Sequence, residues 1–236
     1  MNHQHTPLFD ALYKHAKQQP LSFHVPGHKN GQVFLQKGKP YYQDILSIDV
    51  TELTGLDDLH SPEGSILEAE NLLADAYNTR HSFFLVNGST VGNLTMILSS
   101  FQEGDVVFVQ RNCHKSILNG LKLAKLQPVF IEPEFNEEWR VAVGISMNSL
   151  AIAYQAYPES KGLILTYPNY YGFAFDIKES IDFCHQNNLL ILVDEAHGAH
   201  FRAGNPFPLS AIDLGADMVV QSAHKTLPAM TMASFL

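Results

Sequence analysis

Basic residues and cysteines are scarce in this chain, and both shortages exclude classes of function. Its 236 residues include 15 Lys and Arg against 24 Asp and Glu, a formal charge of −9 at pH 7. Nucleic-acid binding depends on clustered Lys and Arg that neutralise phosphates, so this balance argues against a general nucleic-acid binder. Cys113 and Cys184 are the only cysteines. A disulfide framework is therefore not expected, and a reducing cytoplasm is the default location.

Long apolar runs are also absent. No run approaches the about 20 residues that cross a bilayer, and residues 1–5 have neither the charged nor the apolar region of a signal peptide. We therefore expect no membrane partner. A hydrophobic content of 45% with 17% charged residues is typical of a globular protein with a substantial core.

Six short, nearly unbroken apolar runs alternate with helical patterns after residue 82. They lie at 83–86, 106–109, 128–131, 162–165, 189–193 and 218–220. Such strands occur where both faces of a parallel sheet are covered, and crossover connections then place the active loops at the carboxyl ends of the strands. We predict an α/β fold with three α/β/α layers and a mostly parallel sheet.

The N-terminal quarter has a different pattern. Residues 7–19 have helical spacing before Pro20, whereas residues 26–64 are punctuated by Gly and Pro, which predicts extended chain and turns. Ser65-Ile66-Leu67-Glu68 resembles a capped helix start, and this helix is predicted to reach about Tyr77. We divide the chain into an N-terminal helix and arm, 1–64, and a large domain, 65–236, in which the sequence stops abruptly within the last strand pattern.

A lysine and an aspartate follow two strands of the predicted sheet. Lys225 comes after the run 218–220, and Asp194 closes the run 189–193. A lysine amine becomes a useful nucleophile when burial or charge lowers its pKa, and a carboxylate can keep a pyridinium nitrogen protonated. Pyridoxal phosphate needs both groups. Considered alone, each residue is better explained as a solvated lysine or a helix cap.

A candidate phosphate site follows the first apolar run. Asn87-Gly88-Ser89-Thr90 precede a helix, and backbone N–H groups at a helix start, together with two hydroxyls, suit a dianionic phosphate. An ordinary Ser/Thr cap with a Gly turn explains this segment about equally well. Because no Gly-Lys-Ser/Thr follows, it is not a P-loop. This also excludes a helicase interpretation of Asp194-Glu195-Ala196-His197.

Two histidine segments allow more than one interpretation. His114, at a helix start, could stack on a planar cofactor, although a lone histidine there is more often a cap or a surface residue. His197 and His200 could join Asp194 in a metal site, but they lie in a Gly-containing loop and no further ligand is evident. We predict that no metal is bound.

Six segments in the expected order resemble the Orn/Lys/Arg decarboxylases, the group III pyridoxal-phosphate decarboxylases with an aspartate-aminotransferase type I fold. They span nearly the whole chain: Pro26-Gly27-His28-Lys29, Gly55–His60, Asn87-Gly88-Ser89-Thr90, Arg111–Ser116, Asp194-Glu195-Ala196-His197 and Ser222-Ala223-His224-Lys225. The chain looks most like the shorter bacterial members. The resemblance implies a small C-terminal domain that is missing here, and a homodimer or higher homo-oligomer.

The resemblance also implies roles for individual residues. Lys225 forms the Schiff base with pyridoxal phosphate, Asp194 pairs with the pyridine nitrogen, and His197 contacts the cofactor or the substrate. These three are the candidate catalytic residues. The other cofactor contacts are expected from His114 and Ala196, on opposite faces of the ring, and from the phosphate-binding residues Ser89, Thr90, Ser222 and His224.

The resemblance implies decarboxylation of a basic amino acid to its amine, as in polyamine biosynthesis, with arginine our first choice and lysine or ornithine next. Asp57, Asp58 and Glu63 could bind the distal cation, although loop carboxylates are more often solvated or capping. Two alternatives stay open. In the first, the chain is an inactive fragment or a non-catalytic partner of a full-length decarboxylase. In the second, it is an aminotransferase or another lyase, since fold alone does not fix the reaction.

Overall fold

The computed structural model describes residues 1–236 and divides them into two compact units, Met1–Ser82 and Phe83–Leu236. The N-terminal unit has three helices: α1 (Pro7–Lys17), α2 (Lys39–Ile48) and α3 (Ser65–Tyr77). α1 packs against both α2 and α3. α3 thus belongs to the N-terminal unit, whereas the sequence pattern grouped it with the large domain.

α2 corrects one prediction for the N-terminal unit. The prediction of extended chain and turns throughout residues 26–64 is wrong, because residues 39–48 are helical. Pro40 lies in the first turn, where a helix tolerates proline, and Leu46 is the buried residue of this helix. The helices expected at 7–19 and 65–77 are confirmed by α1 and α3.

α3 is capped by Asp57, which lies in the preceding loop. The N-cap residue, Gly64, has no side chain, so Asp57 Oδ2 accepts hydrogen bonds from the backbone N–H groups of Gly64 (2.8 Å), Ile66 (2.9 Å) and Leu67 (3.3 Å). Burial alone would raise the pKa of Asp57, but backbone hydrogen bonds outweigh it and lower the pKa to about 2. This carboxylate is structural, which favours the capping interpretation over cation binding.

We expect Asp57→Ala to destabilise the start of α3 by about 1 kcal/mol, since it removes the acceptor of several N–H groups. Hydrogen exchange of the α3 amides measures this loss. Because the folded-state pKa of about 2 lies below the usual 3.8, the stabilisation is present above about pH 4 and is lost as the pH falls toward 2. Asp58→Ala is the control, since Asp58 Oδ1 accepts a local bond from His60 N–H. Equal loss of protection in both variants would contradict the capping role.

The C-terminal unit contains the strands and the remaining helices. The strands are β1 (Phe84–Leu85), β2 (Val106–Gln110), β3 (Gln127–Ile131), β4 (Phe135–Asn136), β5 (Val141–Ala142), β6 (Gly162–Thr166), β7 (Leu190–Asp194), β8 (Met218–Val220) and β9 (Ser234–Phe235). The helices are α4 (Gly88–Ser100), α5 (Lys115–Leu123), α6 (Met147–Ala156), α7 (Lys178–Gln186), α8 (Ala211–Leu214), α9 (Ala223–Thr226) and the 3₁₀ turn Phe201–Ala203.

Five of these strands form a parallel sheet in the order β3-β2-β6-β7-β8. Thr166 of β6 pairs with Asp194 of β7, which in turn pairs with Val220 of β8. β1 and β9 form an antiparallel ribbon, and a bridge between Gln221 and Phe235 joins it to the end of β8. All six predicted strands are present.

Helices cover both faces of the sheet. α4 and α5 pack their buried Met96, Ile97 and Ile117 on one face, while α6, α7 and α8 pack Leu150, Ile181 and Ala211 on the other. The predicted three-layer α/β/α fold is therefore confirmed.

Gly92 allows the closest approach of α4 to the sheet. A Cβ atom at this position would lie 2.7 Å from the Leu85 side chain and 2.8 Å from that of Val220. A larger residue would push α4 away from the strands, and with it the loop that begins the helix.

No helix in the structure is both long enough and apolar enough to cross a lipid bilayer. Cys113 and Cys184 are both free thiols. Burial raises the pKa of the Cys113 thiol to about 11, and that of Cys184 to about 12. Both therefore stay protonated near neutral pH and are poor nucleophiles there.

Candidate active site

A cavity of about 280 Å³ opens at the carboxyl ends of the parallel strands. This edge is where open α/β sheets bind their ligands. β6 delivers Thr166 to it, β7 delivers Asp194, and the short helix α9, which follows β8, delivers Lys225. Among the residues predicted from the sequence, those that line the cavity are Ser89, His114, Asp194, Ala196, His197 and Lys225.

Lys225 and Asp194 face this one cavity although they lie 31 positions apart in the chain. Burial lowers the pKa of the Lys225 ammonium, while the negative charge of Asp194 acts in the opposite direction. A lowered pKa increases the fraction of free amine, which is the form that attacks an aldehyde. The pair thus has the chemistry expected of a Schiff-base lysine and its carboxylate partner.

Hydrogen bonds fix the Asp194 carboxylate, whose residue is only 3% exposed. Asn93 Nδ2 donates to Oδ2 over 2.8 Å, and the backbone N–H of Ala196 donates to Oδ1 over 3.2 Å. A carboxylate held in this way keeps its orientation when a ligand enters.

His114 is both a helix cap and a lining residue of the cavity. Its Nδ1 accepts the backbone N–H of Ser116 over 3.2 Å, which caps α5, and lies 2.7 Å from Ser116 Oγ. The capping interpretation therefore holds for Nδ1, while the ring itself lines the cavity.

The start of α4 provides the candidate phosphate site. Its N-cap residue, Asn87, makes no side-chain hydrogen bond to the first turn. The cap side chain therefore does not compete with a ligand for the first-turn N–H groups. Ser222 Oγ donates to Ser89 Oγ over 2.8 Å, which brings together two of the predicted phosphate ligands. Thr90 is exposed on α4, and His224 Nδ1 lies 3.1 Å from Ala233 O. Neither of these two residues lines the cavity.

His197 and Tyr170 form one wall of the cavity, with their ring centroids 5.8 Å apart. Burial lowers the pKa of the His197 imidazole, and the positive charge of Lys225 lowers it further, against the opposing charge of Asp194. His197 is therefore neutral near pH 7. Buried Asn169 holds this loop: its Oδ1 accepts the Tyr171 N–H over 3.0 Å.

The groups around the cavity fit pyridoxal phosphate. An amine, a buried carboxylate and an uncapped helix start match the aldehyde, the pyridine nitrogen and the phosphate. Thr166 Oγ1 also lines the cavity and is buried without a hydrogen-bond partner, a state that a bound polar ligand would relieve.

Sequence reasoning missed Asn93, Thr166 and Tyr170. Asn93 could have been found from the sequence. Asn93, Met96 and Ile97 have the i, i+3 and i+4 spacing of a buried helix face, where a polar residue calls for an explanation. Thr166 ends an apolar strand, as Asp194 does. Tyr170 lies in a loop and has no such signal.

No group of three or more His, Cys, Asp or Glu side chains in the structure is arranged to hold a metal ion. His200 instead packs against aromatic rings, with centroids 5.0 Å from Phe201 and 4.7 Å from Phe207. The alternative metal site of His197, His200 and Asp194 therefore has no structural support.

Comparison with known protein families identifies the family of this chain. The family model described as "Orn/Lys/Arg decarboxylase, major domain" matches residues 6–236. The chain belongs to the Orn/Lys/Arg decarboxylase family. The resemblance carried by the six sequence segments is thereby confirmed.

Two bacterial relatives illustrate how this family member compares. The uncharacterized protein YaaO of Bacillus subtilis is 53% identical over 98% of this chain and 48% of its own length. An arginine decarboxylase of Halalkalibacterium halodurans is 40% identical over 99% of this chain and 48% of its own length. The chain thus spans about half the length of the curated relatives it matches.

Solved structures share the fold of this family member. The constitutive lysine decarboxylase of E. coli superposes with a TM-score of 0.76 at 24% identity, covering 98% of this chain and 35% of that one. The serine palmitoyltransferase of Sphingomonas wittichii gives a TM-score of 0.62 at 20% identity, over 92% of this chain and 50% of that one. At these identities the likeness concerns the fold alone.

Proposed function

We propose that this chain forms the cofactor-binding part of a pyridoxal-phosphate-dependent decarboxylase that converts a basic amino acid to its amine. The observation that carries the proposal is the meeting of Lys225 and Asp194 at one cavity, in a member of the Orn/Lys/Arg decarboxylase family. Burial lowers the pKa of the Lys225 amine, and hydrogen bonds from Asn93 and Ala196 fix the Asp194 carboxylate.

The bound cofactor would be held from several sides. Pyridoxal phosphate supplies a conjugated ring that accepts the electron pair left on the α-carbon when carbon dioxide departs. Lys225 would bind the aldehyde, and Asp194 would keep the pyridine nitrogen protonated. His114 would stack on one ring face, and buried Ala196 would pack on the other.

The phosphate would lie at the start of α4. Ser89 and Ser222 are already joined there by a hydrogen bond, and Thr90 and His224 are close to them in sequence. The helix dipole and the first-turn N–H groups favour a dianion at this position.

A proton must reach the α-carbon after carbon dioxide leaves. Lys225 is the first candidate donor and His197 the second. The lowered pKa of His197 supports this order, because a neutral imidazole has no extra proton to give near pH 7.

Arginine is the first candidate substrate, with lysine or ornithine next. The support comes from relatives named arginine decarboxylase at 38–40% identity, against 28% for the lysine decarboxylase LdcA of Pseudomonas aeruginosa. Asp57 is not a candidate for the distal cation, because its oxygens already accept backbone hydrogen bonds.

A decarboxylation assay with arginine, lysine and ornithine tests the proposal. We expect carbon dioxide and an amine from at least one of them after addition of pyridoxal phosphate, with the highest rate for arginine. A keto acid in place of carbon dioxide would identify an aminotransferase. Release of carbon dioxide that is fastest from lysine would change the substrate but keep the reaction.

A second candidate is a chain that binds the cofactor without turning it over, or that assists a longer decarboxylase. The chain covers only 48% of the length of these two relatives, which makes this candidate worth testing. A purified chain that is yellow but inactive supports this candidate. A yellow, active chain refutes it, and a chain that stays colourless with excess pyridoxal phosphate refutes the cofactor assignment.

The location and assembly are parts of the same proposal. We place the protein in the cytoplasm, on the free thiols Cys113 and Cys184, and as a homodimer or higher homo-oligomer, on the family resemblance. Analytical ultracentrifugation of the purified chain measures the assembly directly.

A further inference from the structure

Asn93 links two of the proposed cofactor-binding residues into one hydrogen-bonded unit. It is 1% exposed on α4, and its Nδ2 lies 2.8 Å from Asp194 Oδ2 and 2.8 Å from Ser116 Oγ. Ser116 Oγ lies 2.7 Å from His114 Nδ1. The unit therefore runs from Asp194 through Asn93 and Ser116 to His114.

Charge determines how the Asn93 amide is oriented. A carboxylate only accepts hydrogen bonds, so Asn93 must present its NH₂ group, not its oxygen, to Asp194. The second amide hydrogen then points to Ser116 Oγ. Asn93 Oδ1 is left buried without a partner, but the opposite orientation would place an oxygen against the carboxylate.

The amide orientation also determines where the His114 proton lies. Because Ser116 Oγ accepts from Asn93, its own hydroxyl hydrogen is available to His114 Nδ1. The backbone N–H of Ser116 donates to the same nitrogen over 3.2 Å. With both donors directed at Nδ1, the neutral imidazole carries its proton on Nε2.

We infer that Asn93 is a positioning residue, which orients the Asp194 carboxylate and, through Ser116, holds neutral His114 in the Nε2–H tautomer. The inference rests on the proposed function, in which Asp194 meets the pyridine nitrogen and His114 a ring face. Groups fixed before the cofactor arrives bind it more tightly, since less ordering is left to binding.

The tautomer is measured without cofactor, from two-bond ¹H–¹⁵N correlations of the histidine rings, with His114→Gln used only for assignment. We expect wild-type His114 to be protonated at Nε2. In Asn93→Asp the NH₂ donor is lost and a carboxyl oxygen accepts the Ser116 hydroxyl, and in Ser116→Ala the hydroxyl is absent. Both changes remove one donor from Nδ1, so the Nδ1–H fraction should rise.

Met96→Leu is the matched control, because Met96 is buried on the same helix and has no hydrogen bond to this unit. It should leave the His114 signals unchanged. Wild-type signals in both Asn93→Asp and Ser116→Ala would overturn the inference. If Asn93→Asp does not fold, Asn93→Ala takes its place, since it removes the amide donor to Ser116 and Asp194 without adding a charge.

Cofactor affinity provides the second measurement. Asn93→Asp places two carboxylates within hydrogen-bond distance, so one of them takes up a proton and the hold on the pyridine nitrogen weakens. We expect binding of pyridoxal phosphate at least about ten-fold weaker than in Met96→Leu. Equal affinities would contradict the role of Asn93. A wild-type chain that binds no pyridoxal phosphate would instead refute the proposed function and leave the tautomer result standing.

Discussion

Lys225→Ala is expected to abolish the visible absorbance band of the cofactor-loaded protein and to reduce decarboxylation by at least about a thousand-fold. Alanine has no amine to bind the aldehyde, and it also removes the first candidate proton donor. The expectation depends on the position of Lys225. It lines the same cavity as Asp194, and burial lowers its pKa. Absorbance spectra and the carbon dioxide assay measure the two effects separately.

Lys115 provides a stringent control, since it lines the same cavity. Lys115→Ala should keep the absorbance band. Borohydride reduction of the loaded wild-type protein, followed by peptide mass mapping, should place the cofactor on the peptide that contains Lys225. A cofactor found on the Lys115 peptide, or a band that survives Lys225→Ala, would show that Lys225 is not the attachment residue.

The parallel sheet could be predicted from sequence because its strands are buried on both faces. Val107, Leu163 and Ile191 are all fully buried, and each lies in a short run of almost purely apolar residues. This pattern is local, so it can be recognised in a single sequence. The residues that end such runs, above all Asp194, then fall at the ligand-binding edge without any further assumption.

The parts that sequence reasoning missed depend on contacts between distant segments. Asn93 and Asp194 are 101 residues apart, and no local pattern reports their hydrogen bond. The cap of α3 likewise comes from Asp57 in the preceding loop, whereas the local Ser65–Glu68 pattern suggested a capping box. Side-chain partners of this kind are fixed by the tertiary fold and become visible only with it.

Glu195 is a buried acid that the sequence analysis left without a role. It is 0% exposed, and Ser210 Oγ (2.8 Å) and Ala211 N–H (3.2 Å), at the start of α8, both donate to its Oε2. Oε1 makes no hydrogen bond of normal geometry, although the buried side chain of Gln221 lies near enough to lower the pKa of Glu195. Burial raises the pKa of Glu195 to about 8, and the negative charge of Asp213 adds to the shift, against the hydrogen bonds it accepts.

This shift predicts that the protein becomes less stable as the pH rises from about 4.5 to about 8. The folded state keeps the Glu195 proton until about pH 8, whereas an unfolded chain releases it near 4.5, so folding takes up a proton in this interval. The stabilisation is complete below pH 4.5 and is lost as the pH rises through the interval. At pH 7 the loss amounts to about 3 kcal/mol.

Glu195→Gln should remove this pH dependence, because glutamine stays neutral while its carbonyl oxygen can still accept from Ser210 and Ala211. We expect the variant to match the wild type near pH 4 and to be more stable by about 3 kcal/mol at pH 7. Thermal unfolding at intervals between pH 4 and 8 measures the difference. Exposed Glu159→Gln should show no such trend. A stability difference between Glu195→Gln and the wild type that stays constant with pH would mean that Glu195 is ionised in the folded protein, and that its Oε1 has a partner which stabilises the charge.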